Sequence, residues 1–114
     1  MVIRFVRTPN GQCPVEDFLD GLPPKDAQKA LWVFRLIERI ERVPLTYLRK
    51  LMGTEEIWEV RIQGTRQVYR VLGFSHRGTL WLTNGYSKKG RRTDRQQIAR
   101  AERSRADLIT AQRN

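Results

Sequence analysis

Six cations crowd one short stretch of the sequence. In GYSKKGRRTDRQQIARA, residues 85–101, Lys88, Lys89, Arg91, Arg92, Arg95 and Arg100 surround a single acid, Asp94. Like charges at this density repel, so the run weakens a compact chain unless a polyanionic partner, a phosphate-handling site or solubility benefits from it. Two more arginines, Arg61 and Arg70, sit upstream inside the apolar runs IWEVRI and QVYRVLGF. Gathered with Lys88 and Lys89, they would form a cation cluster able to hold a phosphate and the charge that develops when it is attacked. Tyr86 supplies a phenol that can stack on a base or donate a proton. Its purely structural role would be a strand-end aromatic over the core.

Period-two alternation sorts these residues by face. Trp58, Val60 and Ile62 share one face of their run, which leaves Glu59 and Arg61 together on the other. Arg70 shares a face with Val68, Leu72 and Phe74. An arginine among large apolar side chains is costly to bury alone, so Arg70 belongs either at the rim of a cleft or on a carboxylate. Glu59 is the candidate carboxylate, as a structural partner or as a general base. Arg91, Arg92 and Arg95 are candidate RNA-binding residues.

Other familiar chemistries find few residues. His76 is the only histidine and falls in a predicted turn, which argues against histidine-pair RNase chemistry and histidine metal sites. Gly85 and Gly90 stand outside any glycine-rich phosphate loop. Cys13 is the single cysteine, so neither a disulfide framework nor a thiolate cluster is expected. The expected site uses Lys, Arg, Tyr and Glu, without a metal or cofactor.

The whole chain carries the same signature. Its 114 residues hold 22 Lys plus Arg against 12 Asp plus Glu, a formal charge of +10, which points to a nucleic-acid, ribosomal or acidic-protein partner. From Tyr86 onward there are nine cations and three acids, so the excess is concentrated in the last quarter. A solvated arm is the bland alternative for such a tail. No signal-peptide-like or membrane-length apolar run is present, and a cytoplasmic protein is expected.

One domain of this length must position the candidate residues. Residues 2–6 suit a first strand, and Pro14 can open a short helix that Gly21, Pro23 and Pro24 end. Ala27, Ala30, Leu31, Phe34, Ile37 and Ile40 recur at spacings of three and four, predicting a core-facing helix from about 25 to 43, stopped by Pro44. TYLRKLMGTEE reads as a connection. Strands are predicted at 57–62, 67–74 and 79–86, joined as hairpins through QGTR and SHRG. Thr93 and Gln96 have capping-box spacing before a closing helix whose apolar side, Ile98, Ala101, Leu108 and Ile109, is thin enough to predict loose docking. The sum is an α+β domain with helices on one face of a small, mainly antiparallel sheet and the other face partly open beside the basic loop.

The ordered runs IWEVRI, VYRVLGF and TLWLTNGYSKKGRRTDRQQIARAERSR resemble the RelE/ParE superfamily of bacterial toxins, in particular its HigB-like, phage-derived branch. The resemblance covers the last half of the chain and implies a RelE-like fold. It further implies the toxin half of a toxin–antitoxin pair, neutralised by an antitoxin with a helix-turn-helix domain. Its implied activity is endoribonuclease cleavage of messenger RNA, often on the ribosome. Arg61, Arg70 and Lys88 or Lys89 would bind the scissile phosphate, while Tyr86 or a lysine assists proton transfer as the ribose 2′-OH attacks. The chain departs from some ribosome-dependent relatives in having Glu59 and Arg61 where they carry two lysines. It also reads Thr93-Asp94 where many HigB-like relatives have Thr-Pro. Because this fold also hosts gyrase inhibitors, a non-nuclease toxin or a basic RNA- or ribosome-binding module is the alternative.

Overall fold

The structure, a computed structural model, describes residues 1–87 and 94–113. Its elements run β1 (Val2–Phe5), α1 (Pro14–Asp20), α2 (Pro24–Arg39), β2 (Leu48–Lys50), β3 (Ile57–Gln63), β4 (Val68–His76), β5 (Thr79–Ser87) and α3 (Arg95–Arg113). The five strands form one sheet in the order β1-β5-β4-β3-β2, antiparallel except where β1 runs parallel to β5. This is the α+β architecture read from the sequence.

Each sheet face carries its own core. On one side α1 and α2 bury Val15, Ala30, Val33, Phe34 and Ile37 against Val60, Ile62, Tyr69, Val71, Leu80 and Leu82. On the other side α3 seats Ala101, fully buried, against Ile57, Leu72 and Phe74, with Ile98 and Leu108 alongside. The expectation of a partly open second face and a loosely docked last helix is therefore corrected. A small residue at 101 lets the helix backbone come close to the sheet, so a short apolar stripe is enough to dock it.

Three local differences have plain causes. The supposed connection TYLRKLMGTEE contains β2, whose Leu48 is buried opposite Val60 while Arg49 and Lys50 stay exposed, a charged and very short edge of the kind that resists further pairing. Helix α2 ends at Arg39, well before Pro44, because Ile40 turns extended (φ −109°, ψ 141°), and Pro44 in turn disfavours helix at Val43. Leu31, expected in the core, is 43% exposed, and Val33 fills the stripe instead. At the start of α3 the Asp94 carboxylate accepts the Gln96 N–H at 2.8 Å; Thr93, the capping residue expected from the sequence, lies outside the described residues.

Asp26, in the first turn of α2, ties that helix to the β3–β4 turn. Its carboxylate accepts the Thr65 N–H at 2.9 Å, the Thr65 hydroxyl at 3.2 Å and the buried Tyr69 hydroxyl. Gly64 keeps this turn closed, since a Cβ there would lie 2.6 Å from the Tyr69 ring and 2.8 Å from the Asp26 carboxylate. The hydrogen bond from Tyr69, followed by that from Thr65, holds the Asp26 pKa below the ordinary carboxylate value. A depressed folded-state pKa contributes stability above the unfolded value and loses it as pH falls through the folded one. Asp26→Asn should accordingly lower the urea midpoint at neutral pH, and the mutant should lose less stability than the parent as the pH is lowered through the carboxylate range. A mutant curve parallel to the parent's throughout would show that Asp26 is not the group responsible.

Candidate phosphate-handling site

Register aligns the candidate residues across three strands. Arg61 on β3 pairs with Arg70 on β4, and Arg70 pairs with Tyr86 on β5, so the three lie abreast in one row. Glu59, two residues before Arg61, lies on the same α3-side face, and Arg49 of β2 is its partner on the other flank.

Tyr86 reaches this row through an irregularity. Up to Leu82, β5 alternates strictly, with Leu80 and Leu82 toward α1 and α2 and Trp81 toward α3. Continued alternation would send Tyr86 toward α1. Instead Leu72 pairs with Asn84 and Gly73 with Leu82, which leaves Thr83 as an extra residue in a bulge. Beyond it the faces exchange: Gly85 now lies under the Phe18 ring of α1, where a Cβ would come within 2.5 Å of it, and Tyr86 joins the α3-side core. The Thr83 hydroxyl, 3.1 Å from the Leu72 carbonyl, fixes the bulge. Buried Asn84 then donates to the Gln97 carbonyl at 3.2 Å and to its side-chain oxygen at 2.8 Å, clamping the first turn of α3 beside the row.

Electrostatics divide the row into a sealed part and an accessible part. Arg70 and Glu59, each 1% exposed, form an ion pair at 2.9 Å. The other Glu59 oxygen lies 3.8 Å from Arg49 Nε, whose side chain is half exposed. Of the two alternatives for Arg70, the rim of a cleft or a carboxylate, the structure has the carboxylate. Arg61 is half-buried at the row's open end. Tyr86 is half-buried as a residue, but its hydroxyl oxygen is itself buried and makes no well-formed hydrogen bond among the described residues, with the Arg70 guanidinium and the Asp94 backbone nearby. Burial raises the Tyr86 pKa above the ordinary phenol value, an effect that the Arg70 charge partly opposes. Tyr86 therefore stays protonated at neutral pH, as a proton donor must.

The remaining predicted residues lie near one end of this row or outside the description. Arg95 opens α3 and is exposed. Lys88, Lys89, Arg91 and Arg92 fall outside the described residues, in the segment that joins the end of β5 to the start of α3. Among the described residues, no group of His, Cys, Asp and Glu side chains is arranged to hold a metal ion.

A family model, Phage derived protein Gp49-like (DUF891), matches residues 17–106. The chain belongs to this phage-derived family. The Gp49-like family is associated with RelE-like, toxin-like proteins, in line with the coarser part of the resemblance read from the sequence. The match runs from α1 into α3 and spans the whole Glu59, Arg61, Arg70 and Tyr86 row. No curated protein matches the chain. Within this Gp49-like domain, reading the sequence missed Arg49 and the Thr83–Asn84–Gln97 clamp. The adjacent polar pair Thr83-Asn84 inside the apolar run TLWLTNGY was the signal available for the clamp.

Two oppositely charged groups at this depth act as a unit. Arg70→Met alone leaves Glu59 buried without its close partner, and Glu59→Leu alone does the same to Arg70, each expected to cost about 3–5 kcal/mol. The double mutant should cost less than either single change, since an apolar pair of similar volume can replace a buried ion pair at little loss. Urea unfolding of the four proteins measures this, and strictly additive losses would show that the pair is not coupled.

Proposed function

We propose that this protein is the toxin of a type II toxin–antitoxin pair and that it cleaves messenger RNA, without a metal, on translating ribosomes. The antitoxin partner in this reading is a small protein with a helix-turn-helix domain. The observation that carries it is the row Arg61–Arg70–Tyr86, in which a half-buried cation and a protonated phenol lie abreast, the phenol on the strand that runs on in sequence to the basic segment 88–93.

In this reading Arg61, with Lys88 or Lys89, binds the scissile phosphate and offsets the charge that builds on it. The ribose 2′-oxygen forms a bond to the adjacent phosphorus and the bond to the 5′-oxygen breaks, leaving a 2′,3′-cyclic phosphate. Tyr86 donates its proton to the departing 5′-oxygen, giving a 5′-hydroxyl, and a lysine of the 88–89 pair takes the 2′-OH proton. Arg70 acts through Tyr86 and Glu59 as a positioning residue. Glu59, 1% exposed with an arginine near each oxygen, is its counter-ion and not the base.

The burial of Arg70 also favours a second reading, a toxin or RNA-binding module of this fold that does not cut, because one cation is withdrawn from direct phosphate contact. Primer extension on cellular mRNA after brief induction separates the two. New 5′ ends inside translated frames are expected with the intact chain, and Tyr86→Phe should lower their yield by about two to four orders of magnitude. Arg61→Ala should lower it too, and should reduce the salt dependence of RNA binding by about one counterion. Both variants keep the buried ion pair, so an unchanged urea midpoint certifies their fold. Growth arrest without new ends would reject cleavage in favour of gyrase inhibition or plain binding.

A further inference from the structure

Between α3 and the loop that joins β1 to α1 runs a trough that the proposed cleavage does not use. Its two recesses, about 200 Å³ and about 370 Å³, share Thr8, Ser104 and Asp107 and so form one continuous channel. The smaller end has Arg100 and Arg103 on its helix wall, and the buried Thr83 and Asn84 of the β5 bulge also line it. The larger end is mainly apolar, walled by Val6, Pro9, Leu108 and Ala111. Both walls are fixed. The Asn84 bonds to Gln97 hold α3, and across the trough the Thr8 N–H donates to the Gln12 carbonyl at 2.8 Å while the Thr8 hydroxyl accepts the Gln12 N–H at 3.0 Å. Small-ligand sites are usually preformed in this way.

The chemistry of the walls changes along the trough. Arg100 and Arg103 are exposed, and neither forms a salt bridge among the described residues. Asp107, in the middle, also forms none, although it stands one turn beyond Arg103. Arg7, the remaining charged residue of the walls, is held by Glu16 at 3.0 Å. The trough thus offers cations at one end, a carboxylate and the Ser104 hydroxyl in the centre, and aliphatic walls at the other end. A polyphosphate, or an RNA backbone laid along its length, would set a second anion against Asp107. A fatty acid would bring methylenes to Asp107, where a hydrogen-bond donor belongs. A single phosphate followed by free ribose hydroxyls and then a flat base matches the three parts in order. From Arg103 to Ala111 the helix rises about 12 Å, comparable with the length of one nucleotide.

We infer that this trough binds one nucleoside 5′-monophosphate, either free or as the 3′-terminal nucleotide of an RNA strand. These two sources share the same chemistry: one phosphate, and a ribose whose 2′- and 3′-hydroxyls are both free. The phosphate lies on Arg100 and Arg103, the ribose hydroxyls donate to Asp107, and the base rests between Pro9 and Leu108. Arg61, Arg70 and Tyr86 line neither recess, so the site is separate from their row, and the inference holds whether or not that row cleaves RNA.

The test is titration calorimetry on the full chain with adenosine 5′-monophosphate, which should bind about tenfold more tightly than adenosine, inorganic phosphate or the 2′,3′-dideoxy nucleotide. Chemical-shift changes should centre on Thr8, Asn84 and Ser104. Arg100→Ala/Arg103→Ala should weaken binding about tenfold, and so should Ala111→Trp, which fills the apolar end from an exposed position. Asp107→Asn should erase the preference for ribose over the dideoxy sugar, and Arg61→Ala should change nothing. Unchanged urea midpoints certify the fold of each variant. A short RNA with a free 3′ end that binds more tightly than the mononucleotide, through the same residues, identifies the strand end as the source; equal affinities identify the free nucleotide. Inorganic phosphate binding as tightly as the nucleotide, a 3′-phosphorylated RNA matching the free 3′ end, loss of binding in Arg61→Ala, or indifference to the trough substitutions would overturn the inference. So would an acidic peptide that binds more tightly than either and loses that affinity in the same variants.

Discussion

Much of the α3-side architecture depends on one buried charge pair. Glu59 and Arg70 occupy the centre of the sheet, where an isolated charge would be prohibitive and a close pair is tolerable. Their attraction constrains β3 and β4 to one register, since a one-residue slip would carry one member to the opposite face and strand the other. The same register sets Arg61 beside Arg70. The pair thus does its work through geometry: whatever it adds to stability, it leaves only one way to align the strands that carry the site.

Around that fixed point the two faces of the sheet do different jobs. The α1–α2 side holds the larger apolar core and is locked at the β3–β4 turn by Asp26. The α3 side is a smaller core whose far end gives way to charged and polar groups, with Asn84 fixing where the last helix begins. Apolar packing therefore ends where the arginine row starts, so the rigidity of the first supports the placement of the second without covering Arg61.

Much of this was legible in the sequence, and what was not has identifiable causes. The hairpins, the facing of Glu59 with Arg61, and the presence of a carboxylate for Arg70 all follow from a period of two and the cost of burying charge. Period two fails at Thr83, because a bulge inserts a residue without changing the local composition, so the side on which Tyr86 emerges was not readable. Three residues of β2 are too few to show periodicity, and what marks them as a strand is pairing with a distant segment. Leu31 looked like core because a helical stripe has soft edges, and only the sheet beneath decides which edge is covered. Asp26 gave no signal at all, since its partners Thr65 and Tyr69 are remote in sequence.

The parallel pairing of β1 with β5 bears on how the chain is made. Val2 finds its partner at Thr79, so the first strand of this sheet pairs with its fifth, across all the elements between them. Closing so long a loop is entropically unfavourable until the intervening hairpins shorten it, and non-local pairings of this kind slow folding. During translation the first strand must wait, unpaired, until β5 has emerged and joined β4. The sheet is therefore completed only once β5 has been made, and a chain that stops short of β5 has neither its first strand in place nor Tyr86 beside Arg70.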